Sequence, residues 1–195
     1  QLNADVDVLL GSLAGIYSMQ GDVHLRNGLV NLETIGANVS ISNDVTVVDP
    51  APEKAARDLL KLSINLKVRI DETVRVKGFG LDGTVEGAVL VNSPFDSPTR
   101  LTGSLNLLGN YGTYGQKLRI KRGNIQYFNA EVDEPILNIL AEREIDSENM
   151  TVGLQITGPA SRPKTQVVSS AGLPENEALS WLMFGQPLNN VSSGD

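Results

Sequence analysis

Between Val6 and Ile156 a period-two alternation of apolar and polar residues dominates, and no other feature limits the fold of this chain so tightly. Val6 and Val8 alternate with aspartates. Ile64, Leu66, Val68 and Ile70 are separated by Asn65, Lys67 and Arg69, and Val74 and Val76 flank Arg75. Val85, Gly87, Val89 and Val91 form a further row, followed by Leu101, Gly103, Leu105 and Leu107. Leu137, Ile139 and Ala141, then Val152, Leu154 and Ile156, close the series, and Val39, Ile41, Val45 and Val47 form an earlier one. Side chains on a strand point to opposite faces in turn, so each segment has one apolar and one polar side. Such segments suit antiparallel sheet with one face in water. A dozen or more of them in sequence, spaced ~4.8 Å apart, would extend ~60 Å.

Two stretches share a layout. In "VHLRNGLVNL" (23–32), Val23 and Leu25 precede Gly28, and Val30 and Leu32 follow it. In "LRIKRGNIQY" (118–127), Leu118 and Ile120 precede Gly123, and Ile125 and Tyr127 follow. The first apolar pair of the second stretch is even-numbered and the second pair odd-numbered, so an unbroken strand would send them to opposite faces. A glycine-containing turn or a bulge at Arg122-Gly123-Asn124, and another at Asn27-Gly28, restores one face. Each copy is therefore expected to be a two-strand hairpin with its aliphatic groups on one side.

Two segments depart from the alternation. "DPAPEKAARDLLKL" (49–62) has Pro near its start and Leu59, Leu60 and Leu62 late, which predicts a short helix inserted between strands. "LPENEALSWLMFGQP" (173–187) predicts the strongest helix, over 174–184. Leu179, Leu182 and Met183 share a face, Trp181 and Phe184 lie beside it, and Gly185 and Pro187 stop it. That helix is expected to dock across an end or edge of the sheet or, alternatively, to gate the groove. "NSPFDSPT" (92–99) and "GPASRPK" (158–164) read as loops.

Residues capable of catalysis are sparse. The one histidine, His24, sits at an outward strand position, and no Gly-x-Ser-x-Gly elbow supplies a nucleophile. With no cysteine, thiolate chemistry, disulfides and Cys/His metal sites are excluded. "DVD" (5–7) and "DEP" (133–135) offer carboxylates without EF-hand spacing. "EREIDSE" (142–148) reads as a solvated turn, and "GFGLDG" (78–83) lacks the spacing of a dinucleotide loop. No enzyme activity, cofactor or metal is expected. The net charge of −7 argues against a nucleic-acid partner and against an anionic membrane surface, since both recruit basic clusters. No apolar run approaches the ~20 residues that span a bilayer. The chain opens at Gln1 already in alternation and reads as a piece of a longer protein.

The apolar side has three possible uses: the core of a closed two-sheet sandwich, the lining of an open half-pipe, or a track for an extended polypeptide. Repetition favours an elongated curved antiparallel sheet, an open groove with one or two short helices. The aromatic share is only 5%, so the lining is aliphatic and suits acyl chains, which need apolar contact without directional partners. The expected lining comprises Val23, Leu25, Val30, Leu32, Leu105, Leu107, Leu118, Ile120, Ile125, Tyr127, Leu137, Ile139, Val152, Leu154 and Ile156. Leu179, Trp181, Leu182, Met183 and Phe184 are expected to pack the helix or form the gate.

"LTGSLNLLGNYGTYGQKLRIKRGNIQYFNAEVDEPILNILAERE" (101–144), "VGLQITGPASRPKTQVVSS" (152–170) and "PENEALSWLMFGQPL" (174–188), in that order, resemble the carboxy-terminal domain of the TamB family. Five spaced motifs carry the likeness: a Gly-rich tyrosine hairpin, an Arg-Gly hairpin, Pro-Ile-Leu-Asn-Ile followed by Ala-Glu-Arg, a Thr-Gly-Pro turn, and a Leu-Ser-Trp-Leu-x-Phe-Gly helix. It is close over 101–188 and rests on repeat style over 1–100. The resemblance implies one taco-like β-groove segment over 1–195 of a large Gram-negative periplasmic protein anchored in the inner membrane. It implies membership of the translocation and assembly module with the outer-membrane barrel TamA, acting in autotransporter and outer-membrane protein assembly. It also implies kinship with AsmA-like and bridge-like proteins that move phospholipid between membranes. Phospholipid acyl chains are the expected cargo, with unfolded outer-membrane protein strands the alternative. TamA binding is expected of the full-length protein, by a family segment beyond Asp195.

Overall fold

The computed structural model describes residues 2–33, 61–113 and 115–191. The strands are β1 (Leu2–Leu13), β2 (Ile16–Asn31), β3 (Leu62–Gly78), β4 (Leu81–Ser93), β5 (Arg100–Thr113), β6 (Gln116–Ala130), β7 (Ile136–Ile145), β8 (Met150–Pro159) and β9 (Lys164–Ser169). They form one curved nine-stranded sheet in chain order, the mainly β architecture that the alternation predicts. Eight inter-strand steps of ~4.8 Å extend it about 38 Å, with no second sheet among the described residues. Helix α1 (Glu175–Phe184) and the short α2 (Leu188–Val191) follow. The helix expected over 49–62 lies outside the described residues apart from its end, where Leu62 opens β3, and so do the rows of Val39, Ile41, Val45 and Val47.

Two details depart from the sequence reading. All neighbouring strands pair antiparallel except β2 and β3, which run parallel from Tyr17↔Leu62 to Asn31↔Lys77. Parallel neighbours need a crossover of a dozen residues or more, and residues 32–61 supply that length. Nor are the two shared stretches hairpins. Each lies within one long strand interrupted by a bulge, between Leu25 and Gly28 in β2 and between Ile120 and Arg122 in β6. Asn27 takes a left-handed φ of 49°, and Lys121 and Arg122 are both exposed. The parity argument is satisfied by the extra residue alone, without a chain reversal.

Register carries one set of side chains across the sheet. A row runs Val30↔Val76↔Gly83↔Gly109↔Ile120↔Ala141↔Leu154↔Val167, and another runs Leu25↔Ile70↔Gly87↔Leu105↔Ile125↔Leu137↔Gly158. The curl is creased at glycines on β4 and β5. Gly87 (φ 133°) and Gly103 (φ 143°) hold conformations that L side chains rarely adopt. An added Cβ would strike the carbonyl oxygen of Ser104 or of Ala88 across the strand pair.

The core sits at one end of the concave face. Leu118 and Leu182 are fully buried, with Val152, Ala141, Ile120, Leu107, Val76 and Trp181 around them. The convex face carries half-exposed ion pairs: Arg26 with Asp5, Arg69 with Asp22 at 3.4 Å, and Asp82 with Arg75 at 3.0 Å and Lys77 at 3.3 Å. Each contributes about 0–1 kcal/mol at such exposure. They keep the outer face in water, so the apolar rows close inward.

Candidate functional site

The concave face is almost without charge. Among the described residues paired in its rows, Arg143 is the single ionisable aliphatic-chain group, two residues beyond Ala141 on β7 and opposite Val152. Every other such position in β3, β4 and β5 is Leu, Ile, Val, Gly, Tyr, Thr or Ser. A cavity of about 270 Å³ opens in this face. Leu32, Gly78, Phe79 and Leu81 flank one side, Leu107, Tyr111 and Ile120 form the floor, and Ile139, Ala141, Leu154 and Ile156 form the other side. β4 and β8 stand four places apart in the sheet, so they share one cavity because the sheet bends around it. A space lined this way suits an apolar chain, with the Tyr111 hydroxyl the one polar side-chain group among the lining residues.

The cavity brings together Leu32, Leu107, Ile120, Ile139, Leu154 and Ile156 of the expected lining. Val30 packs against the core, and Leu118 and Val152 are buried within it near α1. Val23, Leu25, Leu105, Ile125, Tyr127 and Leu137 occupy the same face outside the cavity, all half-exposed. The Tyr127 hydroxyl donates to the Val132 carbonyl at 3.1 Å, and burial, with Asp133 nearby, raises its pKa. Leu81, Tyr111 and Ala141 line the cavity without having been selected from sequence. The signal was present: Leu81 continues the odd-numbered row of Val85 and Val89, and Tyr111 that of Leu105 and Leu107. Phe79 had no such signal, because it belongs to the β3–β4 turn and reaches the cavity only through the curl.

The candidate polar residues find other partners. His24 Nε2 lies 2.7 Å from Asp71 Oδ1 on the outer face. Asp5 pairs with Arg26, and Asp146–Glu148 form a solvated 3-10 turn. Gly78 to Gly83, the Gly-rich segment, makes the β3–β4 turn and the ends of its strands.

Helix α1 has acids in its first turn and ends at Gly185 (φ 69°), whose N–H donates to the Trp181 carbonyl at 3.1 Å. Its buried face overlaps the expected one and is broader. Leu182 and Trp181 are in the core with Leu179 packed against it, Ala178 and Ser180 are buried as well, and Met183 is half-buried. Phe184 is 55% exposed and does not line the cavity. Phe184→Ser is accordingly expected to change stability by less than about 0.5 kcal/mol, read from the midpoint of a urea titration. Trp181 and Leu182 enter the concave face itself, in one cluster with Leu118, Ile120 and Val152.

The TamB C-terminal domain family model matches residues 9–195. Over 194 aligned residues the chain is 25% identical to the translocation and assembly module subunit TamB of Haemophilus influenzae. The match takes in 91% of this chain and 15% of that relative's length.

Proposed function

The chain belongs to the TamB C-terminal domain family, and on that premise we propose that it is a non-enzymatic groove segment of a translocation and assembly module, carrying phospholipid acyl chains between the inner and outer membranes. One observation supports this above others: the concave rows traced from β2 to β8 are apolar apart from Arg143 and a few hydroxyl side chains, and they leave an open cavity of about 270 Å³. A cargo of variable chain length that must slide needs such a surface, because directional hydrogen bonds would arrest it. In the full-length protein the segment would work in the periplasm of a Gram-negative cell, held by an inner-membrane anchor elsewhere in the chain. No helix among the described residues is long and apolar enough to cross a membrane. TamA would be the outer-membrane partner, and support of outer-membrane protein and autotransporter assembly would follow from lipid delivery.

Photo-crosslinking residues placed singly in the full-length protein in cells test the reading. Leu105, Ile125, Ile139 and Leu154 are expected to capture phospholipid. Arg119, Lys121 and Gln126, on the opposite face, are expected to capture little. Adducts at the concave sites consisting of nascent outer-membrane protein, with no lipid, would replace the lipid reading with a chaperone-like track, in which an extended strand is held.

A further inference from the structure

We propose that α1 is a releasable stopper, occupying the end of the groove with Trp181 and Leu182 in place of an acyl chain and latched there by Arg143 and Gln116. The inference rests on the acyl-chain reading of the groove and adds its regulation.

Four observations combine. Trp181 and Leu182 are buried among concave-face residues, and Ile120, Ala141 and Leu154 border both that cluster and the open cavity. The stopper and the open space are therefore contiguous. A chain sliding past Ile120 toward the α1 end meets Trp181 and Leu182, whose mainly apolar side chains occupy that end. Second, α1 contributes no strand pairing to the sheet. The ladder from β1 to β9 is complete without it, and α1 packs chiefly on β8 and β9.

Third, the polar attachment of α1 to the groove wall is short and specific. Gln116 Nε2 donates to the Met183 carbonyl at 3.2 Å, and the Arg143 guanidinium donates to Gln116 Oε1. Arg143 makes no ion pair with a carboxylate among the described residues. A half-buried cation in an apolar surface needs a compensating field, and the carbonyl end of a helix supplies one. The one charged side chain of these rows thus sits where it stabilises the docked helix. Fourth, a glycine turn separates α1 from the last strand. Ser170 N–H is bonded to Thr151 O at 3.0 Å, Gly172 then takes a φ of 67°, and α1 begins at Glu175.

Trp181 is the only tryptophan in the chain, so its fluorescence reports the stopper directly. The test uses the 195-residue chain with cis-parinaric acid as the acyl probe, and acrylamide as the quencher of Trp181. Two latch variants are compared with the parent: Arg143→Ala, and Gln116→Met, which keeps side-chain length and charge. Circular dichroism reports whether the sheet persists in each. The probe is expected to raise quenching of Trp181 in the parent. The latch variants are expected to show raised quenching before any probe is added, and to bind the probe about tenfold tighter. That is the gain when a competent state rises from roughly one molecule in ten to nearly all. Equal affinity in parent and Gln116→Met, or probe binding that leaves Trp181 quenching unchanged, overturns the stopper while leaving the groove reading intact. Absence of probe binding in every form, with Trp181 exposed by the latch variants, overturns the groove reading and the stopper with it.

Discussion

Leu118→Asp is expected to leave no cooperatively folded domain. Leu118 is fully buried beneath α1, in contact range of the cluster that includes Val152, Ala141 and Leu182. Truncating a buried leucine alone costs about 2–5 kcal/mol. An unpaired carboxylate in the same space adds the penalty of a buried charge or of its forced protonation. Domains of ordinary size hold only about 5–15 kcal/mol in total, so the sum removes most or all of it. Ile125→Glu is the matched comparison. Ile125 belongs to the concave row of Leu105 and Leu137 yet is half-exposed, with water within reach. Its cost is expected to be about 1–2 kcal/mol, while transport should fall. Circular dichroism melts of the two variants decide between core and groove at these positions. Two-state melting of Leu118→Asp near the parent temperature would mean that the end beneath α1 is open as well.

Gly103→Val carries the next largest expected effect. The residue stands at φ 143° on β5, and any Cβ there collides with the Ala88 carbonyl oxygen on β4. Relieving the collision requires β4 and β5 to move apart or the φ to return to ordinary strand values. Either change flattens the crease and breaks ladder bonds on the line that joins Val89 to Tyr127. A left-handed or similarly sparse backbone conformation alone costs about 1–3 kcal/mol for a side chain that has to adopt it, and the steric term adds to it. A loss of at least about 3 kcal/mol is expected from denaturant titration, together with weaker protection of β4 and β5 amides in hydrogen exchange. Thr102→Val, one residue away with an exposed side chain, should be near neutral. Stability of Gly103→Val within 1 kcal/mol of the parent, taken as about the scatter of a surface substitution, would show that the crease lies elsewhere.

Much of the groove could be read from the chain because it is encoded locally. Leu105, Ile125 and Leu137 share a row as soon as period-two alternation and the bulge beside Ile120 are granted, and both are visible as sequence. Helix α1 was legible for the same reason: acids in its first turn and Gly185 at its end are local signals. Its buried face was less so. A helix of ten residues with Leu179, Trp181, Leu182, Met183 and Phe184 in a nearly continuous apolar run offers several plausible stripes. The concave face takes up Trp181 and Leu182, with Leu179 packed against them, because they fill the space left beside Val152 and Leu118. Phe184 is left outside.

The sequence by itself determined that most strands carry one apolar side, that parity is corrected beside Gly28 and Gly123, and where the last helix stops, whereas β9 and the bulges between Ile70 and Val74 and between Asn106 and Gly109 had no such signal. Each of the legible features is set by residues within a few positions of one another, through alternation, bulging and capping. Only the tertiary structure decided that β2 and β3 run parallel, that the sheet bends far enough for Leu81 and Leu154 to border one cavity, and that one end is filled by Trp181 and Leu182 while the rest stays open. Those outcomes depend on strand order and on curvature summed over many residues, and no local pattern fixes either. The physical cause of the difference is that alternation assigns a side chain to a face, whereas burial depends on what the whole sheet and its helix bring to that face.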